Sequence, residues 1–245
     1  MNRASHTRLT DVAASIAPSG RAARWTQHNA ERREKIVMAA IRVLESTSPG
    51  ADLSVQRVAD EAGLVRTVIY RHFDGKPELV RAVQAHIVGE LRGLLDAELR
   101  LDRSLQQILN ATVSTYVTWA DKNPNLYATI EREVGDGKPS ELSGAVEHIA
   151  QRVLAMVRLG ADMMEMEIRG VDYATLETVA YGMIGQIRGT VNYWIRTTPR
   201  QPSASDLSTI LSRSLWFQMA GQAKDIGIEL NPSTALRELF AAGNA

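Results

Sequence analysis

The chain has 245 residues, 44% hydrophobic and 23% charged, the composition of a folded globular protein with a substantial core. It contains no cysteine, which excludes disulfides, thiolate zinc sites and cysteine catalysis. Its net charge is zero but unevenly spread: residues 1–76 carry 12 Lys or Arg against 8 Asp or Glu, a modest basic bias that suits a polyanionic partner.

Residues 1–27 have no sustained period, group Pro18, Ser19 and Gly20, and scatter Arg3, Arg8, Arg21 and Arg24; they read as a disordered basic arm. They lack the apolar stretch of a secretory signal, and no run in the chain reaches the roughly 18 apolar residues of a membrane span, so a cytoplasmic protein without a membrane partner is expected. From Asn29, a capping residue followed by Glu31 and Glu34, the pattern turns helical. Ile36, Ala40, Ile41 and Leu44 share one face, and Ser48-Pro49-Gly50 ends the helix. Ser54 caps a short second helix with Val55, Val58 and Ala62 inward, and Gly63 stops it after two turns. A third helix is predicted over 65–73, and a long one starts near Pro77. Further helices are predicted over 103–122, 124–134, 140–159, 172–196 and 203–222, with a short one over 233–242. Asp172 is placed to cap its helix, with Val171 and Leu176 as a hydrophobic staple. No strand or repeat is found, so the fold class is all-α.

The stretch 54–79 carries the function. Two short helices joined through a glycine, with a long helix close behind, form a helix-turn-helix. On the second of them Val65, Ile69 and Phe73 make an inward stripe, while Arg66, Thr67, Tyr70 and Arg71 lie on the other side. A major groove takes such a face: Arg bonds guanine edges, Thr touches a base edge or a thymine methyl, and Tyr and Arg hold phosphates. A solvated helix face with an ordinary charge mix accounts for the same residues equally well.

The run Ala59-x-x-Ala62-Gly63-Leu64-x-x-x-x-Ile69-Tyr70-x-His72-Phe73-x-x-Lys76-x-x-Leu79 resembles the DNA-binding domain of the TetR family of repressors over about 50 residues. The resemblance implies an N-terminal three-helix DNA-binding domain over 28–76 and a helical effector-binding and dimerisation domain over 77–245. It implies phosphate contact by Ser54, base reading by Arg66, Thr67 and Val68, and phosphate contacts by Tyr70, His72 and Lys76. His72 also borders the Ile69 and Phe73 stripe, where plain packing is the alternative. The sequence departs from the family at Val65, which stands where a Ser or Thr cap is usual, and at Pro77, where a Glu often follows the lysine.

In the 172–196 helix Gly182, Gly185 and Gly189 fall on one face, with Tyr193 further along. Each interior Gly costs about 0.5–1 kcal/mol against Ala, so three together suggest a packing reason. The opposite face carries Ala180, Ile184, Ile187, Val191, Trp194 and Ile195. This helix and 203–222 are expected to form a homodimer interface as a four-helix bundle; packing of the glycines within one subunit is the alternative. In 203–222 the apolar stripe is expected to be Leu207, Ile210, Leu211 and Leu215, with Trp216 turned outward to the partner.

If the resemblance holds, the helices between 103 and 159 enclose an effector site, with Tyr116, Trp119, Tyr127, Ile130, Met156 and Met183 as ligand-binding walls and Glu131, His148 and Arg152 as polar fixtures. For each wall residue ordinary core is the competing role, and for the three polar residues an ordinary surface position. Flexible Met156, Met163, Met164, Met166 and Met183 suit an irregular apolar ligand, with ordinary core again the competing role. No metal, cofactor or catalytic spacing is seen. The expectation is a dimeric repressor that binds double-stranded DNA at an inverted repeat and is released by a mostly apolar small molecule. The alternatives are an activator or ligand-independent regulator, or, more remotely, a helical enzyme or ligand carrier.

Overall fold

The computed structural model describes residues 20–48, 50–135, 137–163, 170–225 and 227–238, and these form nine helices with no strand among them. The expected arm lies outside the described residues up to position 19. Helix α1 (Gly20–Glu45) starts nine residues before the Asn29 cap, so the last part of that arm is helical. The run Arg21-Ala22-Ala23-Arg24 consists of strong helix formers, which explains the early start. Ile36, Val37, Ala39, Ala40, Ile41, Val43 and Leu44 of α1 are buried, a face broad enough to pack on several partners.

Helix α2 (Val55–Ala62) is capped by Ser54, whose Oγ accepts from the Arg57 N–H at 3.4 Å, and it buries Val55, Val58, Ala59 and Ala62. Gly63 ends it in the left-handed region at φ 64°, its N–H and that of Leu64 returning to the carbonyls of Asp60 and Ala59. Helix α3 (Arg66–His72) is under two turns long, and α4 (Gly75–Asp96) leads away from it with Leu79, Val83, Gln84, Ile87, Val88 and Leu91 inward.

Helix α5 (Leu105–Lys122) opens on a capping box: the Gln107 N–H donates to Ser104 Oγ at 3.2 Å, and the Ser104 N–H to Gln107 Oε1 at 2.9 Å. Then follow α6 (Pro124–Ile130), α7 (Glu141–Met163), α8 (Gly170–Arg196) and α9 (Ala204–Asp225). Helix α6 stops four residues short of the expected end. The buried Gln84 Nε2 donates at 2.8 Å to the carbonyls of both Thr129 and Arg132, bonding the freed end of the helix to α4. Helix α8 is described from Gly170, so Asp172 lies within the helix and not at its cap. Met164 and Met166 lie outside the described residues.

Helices α5 and α9 pack closely, α7 lies on α8 and α4, and α1 holds α2, α4 and α6. One buried cluster runs from Ile36 in α1 through Leu79 and Val83 in α4 to Leu215 in α9, so α4 is common to both halves of the molecule. Burial of each such Leu, Ile or Val contributes about 1.5–3 kcal/mol. Of the short helix expected over 233–242, residues 236–238 are helical and 239–242 lie outside the described residues; here Arg237 and Leu236 donate to the carbonyls of Leu101 and Arg103, at 2.9 and 3.0 Å, beside a single bridge between Ser104 and Ala235. The turn before α5 supplies carbonyls that would otherwise lack partners, and Ala235 and Leu236 are buried there.

On α9 the roles of Ile210 and Trp216 are exchanged relative to expectation: Ile210 is 48% exposed and Trp216 is buried. The inward face consists of two adjacent rows, Leu207, Leu211, Leu215 and Ser208, Ser212, Trp216. Ile210 lies about 140° around the helix from the centre of that face.

Candidate nucleic-acid interface

Ile69 and Phe73 anchor α3, each 1% exposed, but Val65 is 65% exposed and does not join their stripe. It is the N-cap, in extended backbone at φ −87° and ψ 147°, which turns its side chain outward; it makes no capping bond. Leu64, packed against the core, takes the inward place. Arg33 of α1 fixes the other end of α3. Its guanidinium donates to the His72 carbonyl and, at 2.9 Å, to Glu78 Oε1, and stacks 4.2 Å from the centre of the Phe73 ring. Glu78 also accepts from the Asp74 N–H, and that bond, then Arg33, holds its carboxyl below the usual range. This clasp closes the turn before α4 one residue after the Pro77 departure.

With its inner face so held, α3 presents Arg66, Thr67, Tyr70 and Arg71 to solvent, while Val68 is half-buried between the two faces. Arg66 Nη2 donates to Tyr70 Oη at 2.9 Å, one turn along, so these two expected DNA contacts are paired across the outer face. Ser54 stands half-buried at the start of α2 with its hydroxyl engaged in the cap. His72 is half-buried; partial desolvation, then Arg32, Arg33 and Arg71, lower its pKa from the ordinary 6.5.

Lys76 is ion-paired to Asp52, which also lies 3.5 Å from Arg132 Nη1. The Lys76 ammonium, with a smaller effect of Arg132, holds the Asp52 carboxyl below its ordinary value. Arg132 Nη2 donates to the Gly50 carbonyl at 2.7 Å, and Asn125 Nδ2 to the Leu44 carbonyl at 3.0 Å. The start of α6 is thus fastened to the last turn of α1, and Arg132, just past the end of α6, to the loop between α1 and α2. An open cleft of about 160 Å³ lies at this joint, floored by Leu44, Leu53, Val80 and Val83 and rimmed by Lys76 and Arg132. Arg33, Asp52, Gln84 and Arg132 were not singled out by the sequence reading. Their partners are 24 to 82 residues away, and no local spacing marks them.

Of the residues expected to line an effector site, Tyr116, Tyr127 and Ile130 are buried in one cluster with Trp119 and Met183 packed against it. Half-buried Met156 does not belong to that cluster. Tyr116 meets Tyr127 edge to face, ring centres 6.3 Å apart. Burial pushes the Tyr116 hydroxyl up to about 12 and raises that of Tyr127 as well, so both stay protonated. Glu131 pairs with Arg188 of α8 at 3.0 Å. Arg152 instead pairs with Asp96 at 2.6 Å on the outside of α7, where His148 is also exposed; neither is a fixture of that cluster.

A short reading helix with a fixed inner face and an exposed Arg, Thr and Tyr row, led in by a capped helix and a left-handed glycine, defines a helix-turn-helix DNA-binding regulator. Residues 36–83 match the family described as bacterial regulatory proteins, tetR family. The DNA-binding domain formed by these residues is that of the TetR family of transcriptional regulators. The chain is 26% identical to the uncharacterized HTH-type transcriptional regulator Rv0472c of Mycobacterium tuberculosis, over 85% of this chain and 86% of the relative. It is 22% identical to the nucleoid occlusion factor SlmA of Photobacterium profundum, over 68% of this chain and 85% of that protein. The fold is shared with a tetR-family transcriptional regulator from Streptomyces coelicolor (TM-score 0.61, 19% identity, 87% of this chain and 88% of that one). It is also shared with the transcriptional regulator FadR from Bacillus subtilis, solved in complex with stearoyl-CoA (TM-score 0.56, 16% identity, 74% of this chain and 96% of that one). Among the described residues no helix is long and apolar enough to cross a membrane.

Proposed function

We propose that this regulator is a cytoplasmic, non-enzymatic repressor that binds an inverted-repeat operator as a homodimer and leaves it when a mostly apolar small molecule enters the larger helical domain. The observation that carries the reading is the exposed row Arg66, Thr67, Tyr70 and Arg71 on a helix whose other face is anchored by Ile69 and Phe73. Arg66, Thr67 and Val68 read bases in the major groove, and Ser54, Tyr70, His72 and Lys76 hold phosphates on either side.

The dimer rests on α8 and α9. Gly182, Gly185 and Gly189 face open space, and a Cβ built on any of them meets nothing within 4 Å, which argues against packing within the subunit. Tyr193 on α8 is 76% exposed, and Ile210 and Phe217, seven residues apart on α9, share an exposed face. Gln186 joins the two helices, donating to Ser214 at 3.1 Å and accepting from Gln218 at 2.7 Å. Two such apolar helix faces per subunit suit a four-helix bundle about a two-fold axis.

Effector release is supported by the joint at the end of α6. Glu131 faces Arg188 in the larger domain while the next residue, Arg132, faces Asp52 and the Gly50 carbonyl beside the reading head. The complex of the neighbour FadR with stearoyl-CoA lends the small-molecule reading further support. Binding that shifts α6 would tilt the head and alter the spacing of the two reading helices; a coupling of about 1–3 kcal/mol changes operator affinity 5–150-fold.

The operator is found by selection from genomic fragments with the purified protein, and affinities are read by gel shift. Arg66→Ala is expected to cost about 1–3 kcal/mol and relax preference at one base pair of each half-site, whereas Tyr70→Phe weakens all sequences alike. Selected fragments without an inverted repeat, or an Arg66→Ala protein with unchanged preference, would overturn the assignment.

A further inference from the structure

Six buried side-chain polar atoms among the described residues lack a hydrogen bond of normal geometry, Gln84 Oε1, His86 Nε2, Thr112 Oγ1, Tyr116 Oη, Asn125 Oδ1 and Asn192 Oδ1, and three of them, on Thr112, Tyr116 and Asn192, belong to α5 and α8. Buried polar groups are nearly always bonded, so an orphan needs an occupant, either ordered water or a ligand. These three are not scattered. Thr112 and Tyr116 stand one turn apart on α5, Asn192 stands one turn beyond Arg188 on α8, and the two helices pack together. Tyr116 is 7% exposed and lies against Tyr127, whose hydroxyl interacts with that of Tyr116 without a hydrogen bond of normal geometry and reaches the Arg188 carbonyl at 3.5 Å. The Arg188 guanidinium completes the group, bonded through Nε and Nη2 to the two oxygens of Glu131 at 3.4 and 3.0 Å.

Charge decides what such a seam accepts. The Glu131–Arg188 ion pair here is already balanced, and Glu131, 10% exposed, is the more deeply buried partner. A ligand carboxylate would bring a second negative charge beside Glu131, and a ligand ammonium a second positive one beside Arg188; either leaves a buried charge unpaired. An uncharged oxygen has no such cost, and it can accept from the Tyr116 hydroxyl or donate to Asn192 Oδ1. The flanking Ile130, Trp119 and Met183 favour an apolar body. We infer that the seam between α5 and α8 is the polar anchor of the effector site, and that it takes an uncharged, mostly apolar molecule bearing a carbonyl or hydroxyl oxygen bonded by Tyr116. The inference rests on the effector reading above and narrows the ligand to one chemical class.

The test uses the full chain and fragments of equal size in three classes, represented by acetophenone, benzoate and ethylbenzene. Binding is followed by ligand-detected NMR, and operator affinity is measured on the same samples. Neutral oxygenated fragments are expected to bind best, and Tyr116→Phe to weaken them roughly tenfold, the loss of one hydrogen bond. Without ligand, Tyr116→Phe is expected to keep or raise Tm, because it removes an orphan hydroxyl; a marked fall would show that the hydroxyl is structural and overturn the inference. Glu131→Gln leaves Arg188 unbalanced and is expected to turn preference toward benzoate. Preference of the unaltered protein for carboxylates, binding insensitive to Tyr116→Phe, or no fragment binding at all, as for a seam filled by water only, would each overturn the assignment. Fragments that bind at Tyr116 yet leave operator affinity unchanged would uphold the site and refute effector release; release by compounds insensitive to Tyr116→Phe would do the reverse.

Discussion

Lys76 shows how a single side chain can be poised between two partners. In the free protein its ammonium is held by Asp52, whose side chain is 72% exposed at the edge of the reading head. A DNA phosphate would have to compete with that carboxylate. Asp52→Asn is therefore expected to raise affinity for operator and unrelated duplex alike by up to about fivefold, the scale of an exposed charge pair, as a gel-shift series at fixed salt would reveal. His72 carries the pH dependence. Its folded pKa lies below 6.5, so the unfolded chain binds the extra proton first, and acidification through pH 6 lowers the stability of the free protein. A phosphate beside the ring would reverse the direction by favouring the imidazolium. The His72 ring resonances are expected to titrate at higher pH in the operator complex than in the free protein; an unchanged midpoint would leave His72 as a packing residue.

Helix α3 illustrates how little a reading helix owes to its own propensity. Seven residues without a capping side chain are far too short to persist alone in water. The helix exists because Ile69 and Phe73 are buried, because Arg33 holds its last turn, and because Gly63 sends the chain back from α2 at φ 64°. A Cβ at Gly63 meets no neighbour, so any cost of Gly63→Ala is the backbone's. That substitution is expected to destabilise by about 1–2 kcal/mol, a fall in Tm of about 2–8 °C by calorimetry. An unchanged Tm would mean that the turn relaxes without the left-handed residue.

The whole molecule has an unfinished face. Tyr193, Ile210 and Phe217 stand exposed beside three open glycines, a large apolar area for a lone subunit. Gly185→Leu and Phe217→Asp, both at exposed positions, are expected to leave helicity intact and shift the protein to monomer in sedimentation velocity, with loss of tight operator binding. Dimers that survive both changes would place the two-fold axis elsewhere.

What was legible in the sequence was local. Ser54 as a cap, Gly63 as a stop, the buried pair Ile69 and Phe73, and the order of helices to α9 follow from spacings of three and four residues and from the few residues that cap or break a helix. Val65 was misjudged because helical periodicity does not extend to a cap in extended backbone. Trp216 and Ile210 exchanged sides because α9 buries two adjacent rows, and which row faces inward depends on where α5 lies. The tertiary structure alone decided the couplings: Arg33 with Glu78, Asp52 with Lys76 and Arg132, Glu131 with Arg188. Periodicity sets which face of a helix is apolar, but the partner of a charged side chain depends on how the helices are assembled, and that geometry has no signature in neighbouring residues.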